Sequence, residues 1–390
     1  DEKRSSCVRL PTFGLPPAVV PLFYGMFLVE ACLGAYQTVW PLLMERLGAS
    51  AAIIGILLSA TGILRIGVVG PSAVLADRFG ARRLMLVTRL LVAAGYTGAF
   101  LATSWVHLLP VILLVSIGEI VFPLAQAYVA HHSTEETRLR TFTLVFNVGP
   151  SVALVAAPLL SAVAVAFFGV RAAFLLAAIF ALGAYVAIRF LDRDGEPQQK
   201  TEVTASSYRL ALSQRPVLIL FVLQGLMIFS LSLGISFIPP FLEDVRHIDA
   251  STIAFLGAFP ALGSFVFGMI LTRSQRIQQK PLVGVTLAVV QTMMGLAIFH
   301  QFGSPAILWF AFFLRGGFFS GWITFISAIG TAAAPRHRAR SFAISEVIGG
   351  LSFASGPLLA GFLYATREQL PFEVSIALAA LLIPVLLITQ

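Results

Sequence analysis

Three acidic residues of this sequence lie within long apolar segments: Glu30, Glu119 and Glu346. An ionisable side chain at the centre of an apolar, membrane-type helix costs about 2.5 kcal/mol or more, so such residues are usually retained for a function. Burial disfavours the charged form of a carboxyl group and suits it to take up and release a proton. Glu30 and Glu119 lie near the centres of their segments and are candidate proton-binding residues. The alternative is a structural ion pair of either acid, for instance with Arg65.

Other polar residues recur at a spacing that places them on one face of a helix. Residues seven or eight positions apart share a helix face. Four segments carry such a pair: Glu30 with Gln37, Glu119 with Gln126, Gln224 with Ser232, and Arg315 with Trp322. Each of these four segments therefore has one polar face.

The segments that carry these residues have the length and composition of membrane-spanning helices. The chain is 58% apolar and 11% charged, and its mean hydropathy of +0.91 excludes an ordinary soluble protein. A helix needs about 20 consecutive apolar residues to cross a bilayer. We count twelve such segments, at approximately 18–43, 49–74, 84–103, 107–129, 140–167, 170–190, 216–242, 251–272, 281–300, 305–333, 341–365 and 371–390.

One polar stretch divides the twelve segments into two groups of six. The predicted organisation is an N-terminal tail at 1–17, a six-helix bundle at 18–190, a linker at 191–215 and a second six-helix bundle at 216–390. The expected fold class is therefore an all-α membrane protein.

The positions of Lys and Arg predict the orientation of the chain. Nineteen of the 26 Lys and Arg residues fall on the side that carries both termini, and four fall in the loops of the other side. Because short loops rich in Lys and Arg remain in the cytoplasm, we expect both termini to be cytoplasmic, in a multi-pass protein of the cytoplasmic membrane. The first segment is long enough to act as an anchor, so we do not expect it to be a cleaved signal.

Several other classes of function find no support in the sequence. The net charge of +8 comes from basic residues scattered over loops without interleaved aromatic residues, so nucleic acid is not an expected partner. The two cysteines, Cys7 and Cys32, form no metal-binding or disulfide pattern, and the histidines are not at ligand spacing. Neither a phosphate-binding loop nor a nucleophile motif is present. We therefore expect no enzyme activity, no cofactor and no metal.

The two halves resemble each other in sequence. Arg138, Arg140, Thr141 and Phe142 precede an apolar segment, and a similar Arg-x-Arg-Ser-Phe run precedes another segment 200 residues later. The segments that follow carry glycines early and a Pro-Leu-Leu run late. A duplicated six-helix unit places its symmetry axis along the membrane normal and leaves a cavity between the halves, which is typical of transporters.

The charged stretch LADRFGARR, between the second and third segments, carries a family resemblance. Asp77, Arg78, Gly80 and Arg82 form an Asp-Arg-x-Gly pattern with a following basic residue. This stretch resembles the loop between the second and third helices of the major facilitator superfamily. The sequence departs from the family pattern at Ala73, where a glycine is usual, and at Ala81, where a basic residue is usual.

The resemblance implies a twelve-helix fold of two pseudo-symmetric bundles, with a substrate cavity lined by helices one, four, seven and ten. The four polar faces lie on these helices and are candidates for lining that cavity, in which Arg315 would attract an anionic or polar group. It also implies that Asp77 acts as a conformational latch against the eleventh helix, with Arg78 and Arg82 as its charge partners and Gly80 as the turn. Helices two and eleven border the interface between the halves in this fold. Arg65 and Glu346 are therefore candidates for a pair across that interface, unless Arg65 balances Glu30 or Glu119.

The function that follows is secondary active transport of a small organic molecule by alternating access. The first expectation is a proton-coupled exporter of drug-like molecules or metabolites, with protons, the substrate and the lipid bilayer as partners and a monomer as the oligomeric state. The second is a proton-coupled or facilitated importer of an organic anion, which the buried arginines favour. The third is a lipid flippase or a non-transporting receptor on the same scaffold.

Overall fold

A computed structural model of the chain describes residues 11–69, 71–192, 215–333 and 338–389. Within these ranges the regular structure is entirely helical. The helices of the first half are Val20–Tyr36, Trp40–Arg46, Ala51–Val69, Ser72–Phe79, Ala81–Leu101, Leu108–Ile117, Val121–His131, Glu135–Thr143, Gly149–Phe168 and Arg171–Arg189. Those of the second half are Arg215–Ile235, Ile238–Asp244, Ala250–Leu256, Phe259–Arg273, Gln275–Gln279, Pro281–Gln301, Pro305–Arg315, Gly317–Ala332, Arg338–Thr366 and Leu370–Ile388. The all-α fold class expected from the sequence is confirmed.

The described chain has eleven helical stretches long and apolar enough to cross a membrane, and a bent pair makes a twelfth. Span 1 is this pair, Val20–Tyr36 with Trp40–Arg46, which meet at 47°. Spans 2 to 12 are Ala51–Val68, Ala81–Leu101, Trp105–His131, Glu136–Phe168, Arg171–Arg189, Arg215–Asp244, Ala250–Leu271, Pro281–Gln301, Ala306–Ala332, Ser341–Thr366 and Leu370–Ile388. The structure thus supports a multi-pass membrane protein with the twelve segments counted in the sequence.

Small residues determine how closely the helices of the first half pack. Span 6 contacts spans 1, 3 and 5, and its Ala173, Ala177, Ala181 and Ala184 are fully buried. Their spacing of three or four residues gives the helix a smooth stripe. In a bilayer, where helices gain no hydrophobic free energy by leaving lipid, such stripes let backbones approach and gain packing contacts.

The two halves meet most extensively along spans 2 and 11. Gly55 and Gly62 of span 2 lie seven residues apart, opposite Gly361 and Ala354 of span 11. A Cβ atom built on Gly361 would lie 2.6 Å from the carbonyl oxygen of Ala51, so the backbones are too close there for a side chain. The same interface includes a hydrogen bond of 2.5 Å from the Ser59 hydroxyl to the carbonyl of Ala354.

The halves are also joined at one end of the bundle. We call the face that carries residues 11–19 the terminal face, and the face where span 1 ends and span 2 begins the distal face. On the distal face Arg46 Nη2 lies 2.6 Å from Glu243 Oε1, which links span 1 to span 7. Gly257 of span 8 packs against the Thr38 side chain of span 1. Together with the contact between spans 5 and 8, these interactions close the distal face.

Candidate functional site

An ion pair joins Arg65, near the end of span 2, to Glu119, in the middle of span 4. Arg65 Nε is 3.3 Å from Glu119 Oε2, and the two side chains are 53% and 31% exposed. Charged side chains in the middle of membrane spans face the bundle interior or a water-filled cavity rather than lipid. The structure thus brings together the two residues that the sequence offered as alternative partners within the first half.

Glu30 of span 1 adds a second carboxyl group to this pair. It is partly buried and lies close enough to Glu119 and Arg65 to interact electrostatically with both. The two proton-binding candidates from the sequence are therefore neighbours that share one arginine.

A fourth charged residue, Arg89 of span 3, completes the cluster and has no counterpart in the sequence-based site. Its side chain is 3% exposed, and its guanidinium Nη2 donates a short hydrogen bond to the carbonyl oxygen of Gly118. Gly118 lies at a break in span 4, where helix Leu108–Ile117 passes through a 3-10 turn, Gly118–Ile120, into helix Val121–His131. Glu119 is in the middle of that turn.

Span 10, the equivalent of span 4 in the second half, is also interrupted, at the single turn residue Gly316. Its first helix ends at Arg315 and its second begins at Gly317. The buried amide of Gln291, on span 9, donates a hydrogen bond of 2.9 Å to the carbonyl oxygen of Leu314. Each half therefore has a charged residue at a helix break, an acid in the first half and a base in the second.

Arg315 differs from Arg65, which pairs with Glu119, and from Arg89, which lies close enough to Glu119 to interact with it electrostatically. None of the ion pairs between described residues includes Arg315, and no acid interacts with it electrostatically within the described part of the chain. Its Nε, like that of Arg89, is buried and has no hydrogen-bond acceptor among the described residues. The centre of its guanidinium lies 5.9 Å from the ring centroid of Phe312, in cation–π contact. The site thus holds a balanced group of two acids and two arginines in one half and a single unbalanced arginine in the other.

The remaining cavity candidates occupy different surroundings. Gln37 is partly exposed at the bend of span 1, and Gln126 is exposed on span 4. Gln224 and Ser232 are fully buried against span 11. The Ser345 hydroxyl donates to Gln224 Oε1 at 2.9 Å, and Ser232 packs on Gly356. The polar face expected on span 7 therefore holds two helices of the second half together.

Trp322 and Glu346 also lie on the second half. Trp322 is partly buried and packs edge-on against Phe318 of its own span, and it contacts Phe353 of span 11. Glu346 is exposed on span 11. In this conformation Arg65 pairs with Glu119 rather than with Glu346.

The loop motif adopts the turn expected at Gly80. This residue has φ +83°, in the left-handed region that favours glycine, and it ends helix Ser72–Phe79 immediately before helix Ala81–Leu101. Arg82 Nη2 donates a hydrogen bond of 2.5 Å to the carbonyl of Arg189, at the end of span 6. Arg78 lies over the ring of Phe79 at 5.3 Å. The side chain of Asp77 lies outside the described residues, so its latch role stays a prediction.

The comparisons with known proteins agree with this architecture. A family model described as Major Facilitator Superfamily matches residues 22–335. A search of curated proteins found no match. The fold is similar to crystal structures of the nucleoside transporter NupG (TM-score 0.79, 15% identity, covering 96% of this chain and 99% of that one) and of the peptide transporter POT in complex with sulfate (0.75, 17%, 98% and 96%). It is also similar to the human organic anion transporter MFSD10 (TM-score 0.65, 18% identity, covering 95% of this chain and 100% of that one).

The family match extends from the first span through the end of the tenth and includes both charged helix breaks. It also makes the protein a transporter rather than an enzyme. The chain belongs to the Major Facilitator Superfamily.

Proposed function

We propose that this protein is a proton-coupled transporter of small organic molecules that carry an anionic group, and that it works by alternating access. The observation that carries the proposal is the unbalanced Arg315, located at a helix break in one half while the Arg65–Glu119 pair lies at the equivalent break in the other.

The charge of Arg315 supports an anionic substrate. A charged group removed from water is costly unless an opposite charge or several hydrogen bonds compensate for it. A guanidinium is also well suited to carboxylate and phosphate groups, because its planar fork donates two parallel hydrogen bonds. An anionic group bound at Arg315 would thus neutralise the excess positive charge of the site.

The cluster in the first half supports proton coupling. A proton on Glu119 would remove the negative charge that faces Arg65 at 3.3 Å. The guanidinium of Arg65 would then be free to take another partner. Glu30 is close enough to respond to the charge of both residues. Proton uptake in one half and anion binding in the other could therefore be linked through the shared cavity.

The contacts between the halves support alternating access. The distal face is closed by Arg46 with Glu243 and by the Gly257 contact with Thr38, whereas spans 2 and 11 pack backbone to backbone in between. A second state would break the distal contacts and use the spans 2 and 11 interface as its pivot. If the terminal face is cytoplasmic, as the Lys and Arg distribution predicts, the closed distal face is the outer one.

Two proteins of similar fold are described together with anions. One neighbour is described as an organic anion transporter, and another was solved with sulfate. The export direction expected from the sequence stays a prediction, which transport assays in both directions would test.

The substrate class is testable without knowing the substrate. Thermal unfolding of the purified protein would be measured with a library of small carboxylates, each beside its uncharged amide and beginning with benzoate and benzamide. Ligands that bind the folded protein raise the unfolding temperature. We expect stabilisation by carboxylates, little by amides, and loss of the difference in Arg315→Gln. Stabilisation by amides or amines alone, or by carboxylates equally in Arg315→Gln, would overturn the proposal.

A further inference from the structure

Two buried polar residues outside the ion pair occupy equivalent places in the two halves. Arg89 is on span 3 and is 3% exposed, and Gln291 is on span 9 and is 6% exposed. Arg89 donates to the carbonyl oxygen of Gly118 on span 4, and Gln291 donates to that of Leu314 on span 10. In both halves the accepting carbonyl belongs to the residue immediately before the charged residue of the site.

Such a donor is needed where a membrane helix breaks. In a continuous helix each carbonyl accepts a hydrogen bond from the N–H group four residues later, and an interruption frees some of these carbonyls. Inside a bilayer, a further donor from a neighbouring helix stabilises such a carbonyl. The Gly118 carbonyl keeps a main-chain contact from the Val121 N–H within the turn, and the Leu314 carbonyl keeps one from the Gly316 N–H. Arg89 and Gln291 add a side-chain donor to each carbonyl and thereby stabilise the interrupted geometry.

Glycines at both breaks make room for these side chains. A Cβ atom on Gly118 would meet Val92 Cγ2 first and would lie 2.9 Å from Arg89 Nη2. A Cβ atom on Gly317 would lie 2.7 Å from the carbonyl oxygen of Ala288 and 2.9 Å from Gln291 Cδ. Each glycine therefore lets the neighbouring span pack closely on the break, and this brings the side chain of Arg89 or Gln291 within reach of the carbonyl.

We propose that Arg89 and Gln291 are matched positioning residues, which hold the two helix breaks and so fix the directions of the Glu119 carboxylate and the Arg315 guanidinium. The inference rests on the proposed function, because it assigns the proton site to Glu119 and the anion site to Arg315. Arg89 also brings its own positive charge to the proton site, whereas the neutral Gln291 acts on Arg315 through geometry alone.

The first test concerns protonation of Glu119. The groups that face Glu119 are Glu30 and Tyr36 of span 1, Arg65 of span 2 and Arg89 of span 3. Infrared difference spectra of the full chain would follow the protonated-carboxyl band during a pH titration, and Glu119→Gln would identify its share of that band.

We expect Arg89→Met to shift the pH midpoint of the Glu119 band by about one unit or more. Arg89→Lys keeps a charge and a donor and should restore most of the wild-type midpoint. Thr88→Val is the matched control, since the Thr88 hydroxyl is equally buried but bonds within its own helix, to the carbonyl of Met85 at 2.9 Å. A wild-type midpoint in Arg89→Met, or an equal shift in Thr88→Val, would overturn the role of Arg89.

The second test concerns anion binding, with benzoate as the probe and benzamide as its uncharged counterpart. We expect Gln291→Met to raise the dissociation constant for benzoate about tenfold. The pH midpoint of the Glu119 band should stay unchanged in this variant. The control is Ser230→Ala on span 7, because the Ser230 hydroxyl is buried and bonds within its own helix, to the carbonyl of Met227 at 3.0 Å. Unchanged benzoate affinity in a folded Gln291→Met protein would overturn the role of Gln291.

These tests separate the positioning roles from the proposed function. If Glu119→Gln removes a titrating band and Arg315→Gln loses benzoate, but Arg89→Met and Gln291→Met behave as wild type, only the positioning inference fails. If Glu119→Gln and Arg315→Gln themselves change nothing, the proposed function fails and the inference with it. A merely structural role would lower the unfolding temperature of both positioning variants but leave the midpoint and the affinity unchanged, which would also contradict the inference.

Discussion

The guanidinium of Arg65 lies 3.3 Å from the carboxylate of Glu119, between spans 2 and 4 of the first half. In this pair the charges of the arginine and the acid neutralise each other within the first half. Arg315, at the helix break of the second half, is in none of the ion pairs between described residues. The charge asymmetry between the halves is the basis for the proposed anion site and proton site.

Removing one partner of the Arg65–Glu119 pair should destabilise the protein more than removing both. Arg65→Met leaves Glu119 without its ion-pair partner, whereas the double variant Arg65→Met, Glu119→Gln removes both charges of the pair. Because both side chains are partly exposed, we expect a loss of about 1 kcal/mol in the single variant and partial recovery in the double variant. Thermal unfolding of the variants in one double-mutant cycle measures this. A double variant less stable than either single variant would contradict the expectation.

Replacement of Arg315 by lysine tests whether its planar fork matters as well as its charge. Arg315→Lys keeps the positive charge but loses the parallel donors. We expect weaker carboxylate binding by about tenfold, with Arg315→Gln weaker still. Titration of benzoate against each variant measures the order, and equal affinity in the lysine and glutamine variants would show that charge has no part in binding.

The distal closure should depend on the ion pair between Arg46 and Glu243. Arg46→Glu places two like charges where the structure has a contact of 2.6 Å, which should favour the state with an open distal face. The charge swap, Arg46→Glu with Glu243→Arg, should restore closure. The reaction rate of a cysteine introduced at Thr38, which packs against Gly257 across this closure, measures the opening. Equal labelling in the single variant and in the swap would show that the pair does not hold the face closed.

The close approach of spans 2 and 11 should tolerate no side chain at Gly361. A Cβ atom there would meet the Ala51 carbonyl at 2.6 Å, so Gly361→Val forces the two halves apart and should cost about 1–3 kcal/mol. Gly67→Ala is the matched control, because a Cβ atom on Gly67 of span 2 meets nothing within 4 Å. Unfolding temperature and transport rate are the readouts. A loss of equal size in Gly67→Ala would show that the close packing of spans 2 and 11 is not the cause of the loss in Gly361→Val.

Stability at acidic pH should depend on the residue that caps span 8. Asp249 lies just before the span and accepts hydrogen bonds from the Ser251 hydroxyl at 2.5 Å and the Thr252 N–H at 2.8 Å. These bonds lower the pKa of Asp249, the Ser251 bond having the larger effect. Because the pKa is lower in the folded state, the stabilisation is present above the unfolded value of about 3.9 and is lost as pH falls through the folded value.

Asp249→Ala should therefore cost about 1 kcal/mol at neutral pH and less in acid. Thr134 offers a comparison, since it caps the helix that begins at Glu135 with a side chain that does not titrate. The loss in Thr134→Ala should be the same at both pH values. Unfolding temperatures of both variants at neutral and acidic pH measure the difference, and a pH-independent loss in Asp249→Ala would contradict the role of its charge.

Much of the fold follows from the sequence because hydropathy and span length are strong signals. The twelve spans, the bend at Gly80 and the central positions of Glu30 and Glu119 all come from local patterns. The choice of partners does not: Arg65 could reach several acids by sequence position, and only the packing of spans 2 and 4 selects Glu119.

Arg89 and Gln291 show what a helix-face pattern misses. Both are isolated polar residues in apolar spans. Their partners are main-chain carbonyls, and because every residue has one, residue types do not predict which carbonyl is the acceptor. The glycines at Gly118 and Gly317 are the available signal, since Gly118 lies directly before Glu119 and Gly317 lies two residues after Arg315. Gln224 and Ser232 illustrate the converse, because a polar pair on one face can bind a neighbouring helix instead of a cavity.

Proton movement driven by an organic anion tests the central claim most directly. The protein would be reconstituted into vesicles that contain a pH-sensitive dye, and the carboxylate that stabilises it most would be added on one side. The account predicts a pH change inside the vesicles with wild-type protein, its loss in Glu119→Gln although the carboxylate still binds, and loss of both binding and pH change in Arg315→Gln. An undiminished pH change in Glu119→Gln, or carboxylate transport without any proton movement in the wild type, would contradict it.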